Sequence, residues 1–324
     1  MALSHMQVFN QYFMPAIIET LDQRVDAFNQ ASNGAIRLTT QGFDGDFLQE
    51  SFFASVHAAQ RRVDRYASNT AASPTNLTQR KHSSVKVAGG FGPIVYEPSQ
   101  LTWLQRPTAQ GIEVVSRNFA EAILADQLNT AIAALVAAIE NQPDATNDVS
   151  ATSALSYAAL NGAHAKFGDH SGNLIAQVMN GAAYHALVAS NLTNTAQLFQ
   201  AQNVRVVDIL GKSVVVTDAP ALYVANSGTV DDIKVLSLTE GAAIVHDGGD
   251  IVTNIETTNG NQRIETSIQM DYSFGLGLRG YAWDEGNGGK SPTDADIATG
   301  AYWDRVASSV KHTAGVITVA QYPA

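Results

Sequence analysis

The segment from Glu113 to Asn141 constrains the fold of this chain more than any other part of the sequence. Its large apolar residues recur at helical spacing: Val115, Phe119, Ile123, Leu128, Ile132, Leu135 and Ile139. This spacing places the apolar side chains in a stripe on one side of an α-helix. At about 1.5 Å per residue the helix is roughly 40 Å long, which is comparable to the width of a domain. We therefore predict one long helix between an extended region and a compact α/β region.

Charge is sparse and unevenly distributed. Charged residues make up 15% of the 324 residues, which suits a protein that hides much of its surface against copies of itself. Residues 1–110 carry nine basic and eight acidic residues, net +1, whereas residues 111–324 carry ten and twenty-two, net −12. Tight duplex binding needs a basic stripe, so this chain is a poor candidate for it. Arg61, Arg62 and Arg65 form a weak candidate basic patch, better interpreted as a solvated face or a salt-bridging contact between subunits.

The sequence also excludes several classes of protein. It contains no cysteine, so we predict no disulfide, no thiolate chemistry and no Cys-based metal site. The N-terminus lacks a charged region followed by an apolar one, so we predict no secretion signal. No apolar run approaches the 18 residues of a membrane span, so we predict no membrane partner. We expect a protein made in the cytoplasm.

The N-terminal third predicts helices followed by a projecting hairpin. Residues 9–31 read as a helical arm, and a second helix is predicted from Phe47 to Tyr66. Residues 84–104 contain two β-like runs around Gly89-Gly90-Phe91-Gly92, which predict a long hairpin that projects from the body. Its hydrophobic side chains are too many for a loop with no partner. The candidate subunit-interface residues in this region are Lys86, Phe91, Tyr96 and Trp103.

The remainder of the chain mixes helices and strands. A helix is predicted over residues 153–167, and a buried strand from Leu174 to Met179 runs into a helix over Ala182–Ala189. A hairpin follows around Gly211-Lys212, and strands dominate to the end, with a turn at Asn259-Gly260-Asn261. The predicted fold class is α+β.

Motifs that carry chemistry are weak. The run from Gly275 to Gly280 formally matches G-x-G-x-x-G, but it continues as strand and meets a loop, so a twisted strand is the better interpretation. His164, Asp169 and His170 could meet a metal, yet a polar turn explains them better. We assign no catalytic, cofactor-binding or metal-binding residue, and the chain is predicted not to be an enzyme.

In three sequence segments the chain resembles the major capsid proteins of tailed bacteriophages, which have the Hong Kong 97-type fold. The first is the long helix at 113–141 after the Gly-interrupted extension at 84–104. The second is LIAQVMNGAAYHALV at 174–188, similar to the family's strand-then-helix phrase. The third is GKSVVVTDAP at 211–220, similar to the family's hairpin.

The resemblance implies a division of the chain into regions. Residues 1–45 would form an N-terminal arm and 46–110 a helix plus an extended loop. Residues 111–149 would form the peripheral lobe with its spine helix, and 150–270 a mixed α/β axial lobe. Residues 271–324 would be C-terminal strands that return to the peripheral lobe.

The resemblance also implies a function and partners. The chain would self-assemble into pentamers and hexamers that form an icosahedral shell around a double-stranded DNA genome. The packaged DNA would be a partner only through non-specific proximity. Scaffold, portal and decoration proteins are possible further partners, and the location is the virion capsid, assembled in the host cytoplasm. An encapsulin-like shell around a cargo enzyme is the first alternative. A hydrolase or sugar-binding β protein with scattered site residues is the second.

Overall fold

A computed structural model describes most of the chain. The described residues are 29–30, 32–43, 45–53, 60–68, 71, 74, 76, 79–96, 109–193, 208–209, 211–226, 230–260 and 262–322. The predicted helical arm over residues 9–31 lies outside them, apart from Asn29 and Gln30, which are helical. Trp103 also lies outside the described residues.

The described elements include both helices and strands, in agreement with the predicted α+β class. In chain order the strands are β1 (Ile36–Gly42), β2 (Phe47–Phe53), β3 (Gln79–Tyr96), β4 (Thr146–Asp148), β5 (Leu174–Met179), β6 (Asp208–Ile209), β7 (Lys212–Val216), β8 (Tyr223–Val224), β9 (Asp232–Thr239), β10 (Ala243–Asp247), β11 (Val252–Thr258), β12 (Glu265–Leu278), β13 (Tyr281–Trp283), β14 (Trp303–Arg305) and β15 (Gly315–Gln321). The helices are α1 (Ala109–Glu140), α2 (Tyr157–Lys166), α3 (Gly181–Thr193) and α4 (Asp294–Ile297).

The strands form two sheets. The first has eight strands in the order β1-β10-β12-β13-β14, with β11 and β3 also paired to β12, and β2 paired to β3. Its long strand β12 is the hub, because four other strands pair with it. The second sheet has seven strands in the order β4-β15-β9-β5-β7-β6, with β8 paired to β9.

Helix α1 joins the two sheets through one continuous core. Buried Ile132, Leu135 and Ile139 share a single hydrophobic cluster with β12 residues of the first sheet and with β9 and β15 residues of the second. Helices α2 and α3 cover the other face of the second sheet, where their leucines pack with Ile233 and Val235 in a smaller cluster.

The long helix is confirmed, but its burial differs from the predicted stripe. Its second half is buried nearly all round: Ala131, Ile132, Ala134, Leu135, Val136, Ala137, Ala138 and Ile139 are all buried. The reason is its position between two sheets, where both sides of the helix need apolar contacts. By length and composition alone, Arg117–Glu140 could even cross a membrane, contrary to the sequence prediction, yet 61% of its apolar window is buried inside the protein.

The predicted helix from Phe47 to Tyr66 is wrong. Residues Phe47–Phe53 form β2, which pairs antiparallel with β3 from Phe47↔Val85 to Phe53↔Gln79. Residues 60–68 contain no helix. The adjacent apolar pairs in this segment fit either a helix or a strand, and the partner strand β3 decides between them.

The position of the predicted hairpin is also wrong. Strand β3 runs unbroken through the four-residue glycine segment and pairs with β12 from Val85↔Leu276 to Tyr96↔Thr266. Gly89 lies opposite Tyr272, and a Cβ at Gly89 would lie 2.8 Å from the tyrosine ring. Gly92 has a φ of +101° next to the register shift between the two strands. The glycines therefore accommodate an aromatic ring and a bulge, and the extended hairpin joins β2 to β3 instead.

Each sheet contains strands from more than one of the predicted regions. Residues 36–42, assigned to the arm, form β1 of the first sheet. Strands β10 and β11, assigned to the axial lobe, also lie in the first sheet. Strand β15, assigned to the C-terminal strands, lies in the second sheet between β4 and β9. The division into arm, loop and lobes stays a prediction.

Candidate assembly surfaces

A three-stranded ribbon extends the first sheet beyond its body. It consists of β11, the first half of β12 and the second half of β3, in register from Val252↔Asp271 to Thr258↔Glu265 on one side of β12. On the other side it continues to Tyr96↔Thr266. Within the part of the chain that the structure describes, the outer edges of β11 and of residues 87–96 have no strand partner.

The inner face of the ribbon is fixed to α1 by an aromatic joint. The Phe91 ring stacks on Tyr272, with centroids 5.6 Å apart, and meets Phe119 of α1 edge-on at 6.2 Å. The Tyr272 hydroxyl donates a hydrogen bond of 2.6 Å to the Asp126 carboxylate on α1. Burial raises the pKa of Asp126 above its ordinary value, although the hydrogen bond from Tyr272 acts in the opposite direction.

The outward face of the ribbon is acidic and partly apolar. Alternation along the strands turns Met270 and Tyr272 inward, so their neighbours in sequence point outward. We define the acidic ribbon face by its outward residues: Val95, Val252, Glu256, Glu265 and Asp271. Val95 and Val252 are 56% and 63% exposed, so the face offers apolar area as well as charge.

The structure gives two of the four predicted interface residues partners within the chain. Lys86 Nζ lies 3.1 Å from Asp250 Oδ2, and Phe91 belongs to the aromatic joint. Phe91 therefore already has aromatic partners within the chain, and the place of these residues in a subunit interface stays a prediction. Tyr96 is the last residue of β3, opposite Thr266, and Trp103 lies outside the described residues.

The candidate basic patch lies in an exposed, irregular segment between β2 and β3. We define the basic segment as residues 61–66, which include Arg61, Arg62 and Arg65. All of its residues are exposed, with Val63 at 67% and Tyr66 at 92%. The Arg65 guanidinium lies over the Tyr66 ring, 5.9 Å from its centroid. The segment presents three cations and two apolar side chains to its surroundings.

A second exposed surface lies on the second sheet, around the short edge strand β8. Tyr223 and Tyr322 pack edge to face with their ring centroids 5.9 Å apart, and both are about two-fifths exposed. The Tyr223 hydroxyl donates a hydrogen bond to the Asp231 carboxylate, and this bond raises the pKa of the tyrosine and lowers that of the aspartate. Val216 and Val230 are also half exposed. Sequence reasoning missed this surface, because the pairing of β8 with β9 is needed to bring its residues to one edge.

One edge of the first sheet is closed by side chains. Asn29 Nδ2 donates to Leu38 O at 2.8 Å, and Leu38 N donates to Asn29 Oδ1 at 2.9 Å. The Ser32 hydroxyl donates to Ile36 O at 3.1 Å. These side chains occupy backbone groups of β1 that another strand could otherwise use. The outer edge of β1 is therefore a poor site for pairing with a neighbour.

The residues considered for chemistry do not come together. His164 is buried on α2 and lies 3.0 Å from the Ser237 hydroxyl, whereas Asp169 forms an ion pair with Lys311 and His170 packs on His312. The described residues include no group of three His, Cys, Asp or Glu side chains placed to hold a metal. The Gly275–Gly280 motif lies in β12 and the turn after it, as the strand interpretation predicted.

A broad cleft of about 1030 Å³ lies on the face of the first sheet opposite α1. His82, His246 and His312 line it, together with the Arg37–Glu240 ion pair. Burial lowers the pKa of His246, despite the nearby Glu50. The His82 ring nitrogen lies 3.0 Å from Leu278 O. The cleft residues that have described partners thus connect neighbouring strands of the first sheet.

Comparison with known proteins gives the family. The sequence matches the family model described as "Major capsid protein 13-like" over residues 5–317. The chain belongs to the Gp13-like family of major capsid proteins. No curated protein sequence matches this capsid protein.

Solved phage capsids share its fold. The acid-stable capsid of Helicobacter pylori bacteriophage KHP30 is similar with a TM-score of 0.51 at 12% identity, covering 90% of this chain and 89% of that one. A structure from Mycobacterium phage Bobi gives a TM-score of 0.51 at 12% identity and covers 89% of each chain. At this identity the likeness speaks for the fold alone.

These findings confirm the predicted resemblance to phage capsid proteins and the α+β, Hong Kong 97-type fold. The Gp13-like capsid protein is a structural protein of the virion shell. The encapsulin-like alternative is not supported, and a hydrolase or sugar-binding protein does not fit membership of a structural family.

Proposed function

We propose that this capsid protein assembles into pentamers and hexamers, and that these close an icosahedral shell around a viral double-stranded DNA genome. The observation that carries the proposal is that one subunit presents two separate exposed surfaces, the acidic ribbon face and the surface around Tyr223 and Tyr322. Unlike surfaces that contact one another in a repeating way generate rings when the rotation closes. Shell geometry then follows from how rings of five and six copies join.

The ribbon edges support a second kind of contact. Strand β11 and residues 87–96 of β3 have no strand partner along their outer edges, within the described part of the chain. An extended segment of a neighbour can pair there by main-chain hydrogen bonds. Tyr96 and Trp103 remain candidate residues for this contact, because they lie at or after the end of β3. Lys86 and Phe91 would act indirectly, because they fix the position of the ribbon to which a neighbouring copy binds.

The proposal includes partners beyond the chain itself. A net charge of −11 disfavours tight DNA binding, so the genome would lie near the shell by non-specific proximity. A scaffold protein, a portal and decoration proteins are proposed as further partners in assembly and in the finished virion. We propose no enzymatic activity and no cofactor.

Negative-stain microscopy of the purified protein, together with its sedimentation profile, tests the proposal. We expect closed shells, or rings of five and six, among species of very high mass. Nucleic acid extracted from shells made during infection would distinguish a virion from a compartment that holds an enzyme. A protein that stays monomeric at high concentration and with crowding agents would contradict the proposal.

A further inference from the structure

We infer that the basic segment of one copy binds the acidic ribbon face of a neighbouring copy. This inference rests on the proposed function, since it requires two copies in contact. It adds which two surfaces meet and makes the contact electrostatic, so that assembly depends on salt.

The basic segment has the composition of a binding element rather than of a solvated loop. Within the described part of the chain its contacts are internal: Tyr66 N donates a hydrogen bond of 2.9 Å to Asp64 Oδ1, and the Arg65 guanidinium lies over the Tyr66 ring. Nothing else in the described part of the chain covers Val63 or Tyr66. An exposed aromatic residue beside arginines is typical of the residues that anchor protein interfaces.

The acidic ribbon face matches the basic segment in charge and in apolar content. It offers three carboxylates, on Glu256, Glu265 and Asp271, to three guanidinium groups. The outward positions of β11 and of residues 265–271 in β12 include no basic residue that would repel them. The exposed Val95 and Val252 provide apolar area for the side chains of Val63 and Tyr66.

The occupant is a second copy rather than the same chain. Both surfaces are exposed within one subunit, so neither covers the other. The net charge is −12 over residues 111–324 and +1 over residues 1–110. The part of one copy that contains the basic segment is therefore not repelled by the acidic part of another copy. DNA is the less favoured occupant of the basic segment, because three arginines beside Asp64 neutralise few phosphates.

Charge reversal on each side, followed by a charge swap, tests the contact. One variant carries Arg61→Glu, Arg62→Glu and Arg65→Glu, and the other carries Glu256→Lys, Glu265→Lys and Asp271→Lys. We expect each to raise the protein concentration needed for assembly by about tenfold or more, since several exposed ion pairs are replaced by repulsion. Combining both sets should restore assembly to near that of the unmodified protein, and unmodified assembly should weaken as salt rises.

Three outcomes would contradict the inference. The one-sided variants could assemble at unchanged concentrations, or the combined variant could assemble no better than the worse of the two. A variant of the basic segment that assembles normally but retains less DNA would assign that segment to the genome instead.

A disulfide test avoids dependence on charge. The native sequence has no cysteine, so Arg62→Cys combined with Glu256→Cys introduces two thiols per subunit and no others, and the expected bond joins position 62 of one copy to position 256 of the next. Under oxidation we expect a ladder of cross-linked copies on a denaturing gel. The control pairs Arg62→Cys with Asp148→Cys, an exposed residue of the second sheet, and should give no ladder.

The outcomes for the two proposals can be distinguished. If the unmodified protein never assembles, the proposed function fails and this inference fails with it. If it assembles, but the designed disulfide and the charge swap both fail, only the inference is wrong.

Discussion

The contact between Asp126 and Tyr272 connects the long helix to the ribbon through a half-buried carboxylate. Because the pKa of Asp126 is raised in the folded protein, the associated stability is fully present below the unfolded-state pKa, whose ordinary value is 3.8. It is lost as the pH rises through the higher folded-state pKa. At neutral pH the ionised carboxylate therefore costs stability, and the Tyr272 hydroxyl limits that cost.

Two substitutions at this contact should have opposite effects. We expect Asp126→Asn to keep the hydrogen bond, remove the charge and leave the protein at least as stable as the original at neutral pH. The difference between the two proteins should grow as the pH rises from about 4 to 7. We expect Tyr272→Phe to lower the free energy of unfolding by about 1–2 kcal/mol, because the carboxylate loses its donor.

Thermal unfolding of the unassembled subunit across this pH range measures both effects. Equal losses for the two variants, with no dependence on pH, would mean that the contact contributes packing alone.

At the scale of elements, the β2–β3 hairpin is held at its base by one carboxylate. Glu285 Oε1 accepts hydrogen bonds from Gln49 Nε2 at 2.9 Å and Ser83 Oγ at 2.5 Å, and it pairs with Lys81 at 2.7 Å. The pKa of Glu285 lies below its ordinary value. Burial alone would raise this pKa, but the hydrogen bonds that Lys81 and Ser83 donate to the carboxylate outweigh the effect of burial. This stabilisation is present above the unfolded-state pKa and is lost as the pH falls through the lowered folded-state pKa.

Replacing Glu285 should loosen the hairpin without unfolding the protein. We expect Glu285→Ala to speed amide hydrogen exchange in β2 by about three- to tenfold, because three contacts are lost. Exchange in the Glu285→Gln variant should be faster than in the original protein and slower than in the Glu285→Ala variant, because the amide oxygen can still accept the hydrogen bond from Ser83. Exposed Glu256→Gln serves as the control and should leave β2 exchange unchanged, so acceleration in that variant too would argue against a specific role for Glu285.

Sequence periodicity predicted the elements whose burial is local. It predicted the long helix and gave the bounds of β5 as the structure has them, because Leu174–Met179 is buried almost throughout and is apolar except for Gln177. It failed for β2 and for the glycines of β3, where the outcome depends on a partner far away in sequence. Gly89 looks like a turn residue until Tyr272 is placed opposite it.

The candidate surfaces show the same limit. Val252, Asn254 and Glu256 stand at every second position of β11, and the structure places them together on one face. Sequence cannot say which face is outward, because that depends on where α1 lies. The basic segment was recognisable from its arginines alone, but its exposure became clear only with the fold.

At the scale of the whole molecule, the last strand completes a sheet begun much earlier in the chain. Strand β15 lies between β4 and β9, and Val149 N donates to Val319 O at 2.8 Å. Val316, Ile317 and Val319 are buried in the core that also contains α1. The two sheets are therefore interdependent, since the helix that supports one also packs on the strand that completes the other.

Removing β15 should abolish folding of the whole subunit. Burial of three large apolar side chains contributes about 1.5–3 kcal/mol each, which together approaches the total stability of a typical domain. We expect a chain that stops after Ala314 to be insoluble or to lose cooperative unfolding. A chain that stops after Tyr322 keeps the strand and should behave as the original, as circular dichroism and thermal unfolding would show. A soluble, cooperatively folded short chain would mean that the second sheet closes without β15.

The aromatic joint has a mechanical consequence. The ribbon is fixed to α1 near Phe119, and the other end of that helix is enclosed between the two sheets. A force on the ribbon is therefore transmitted along α1 to the core between the two sheets. In the proposed shell, a force between neighbouring subunits would therefore be carried by the core of each subunit rather than by a surface loop.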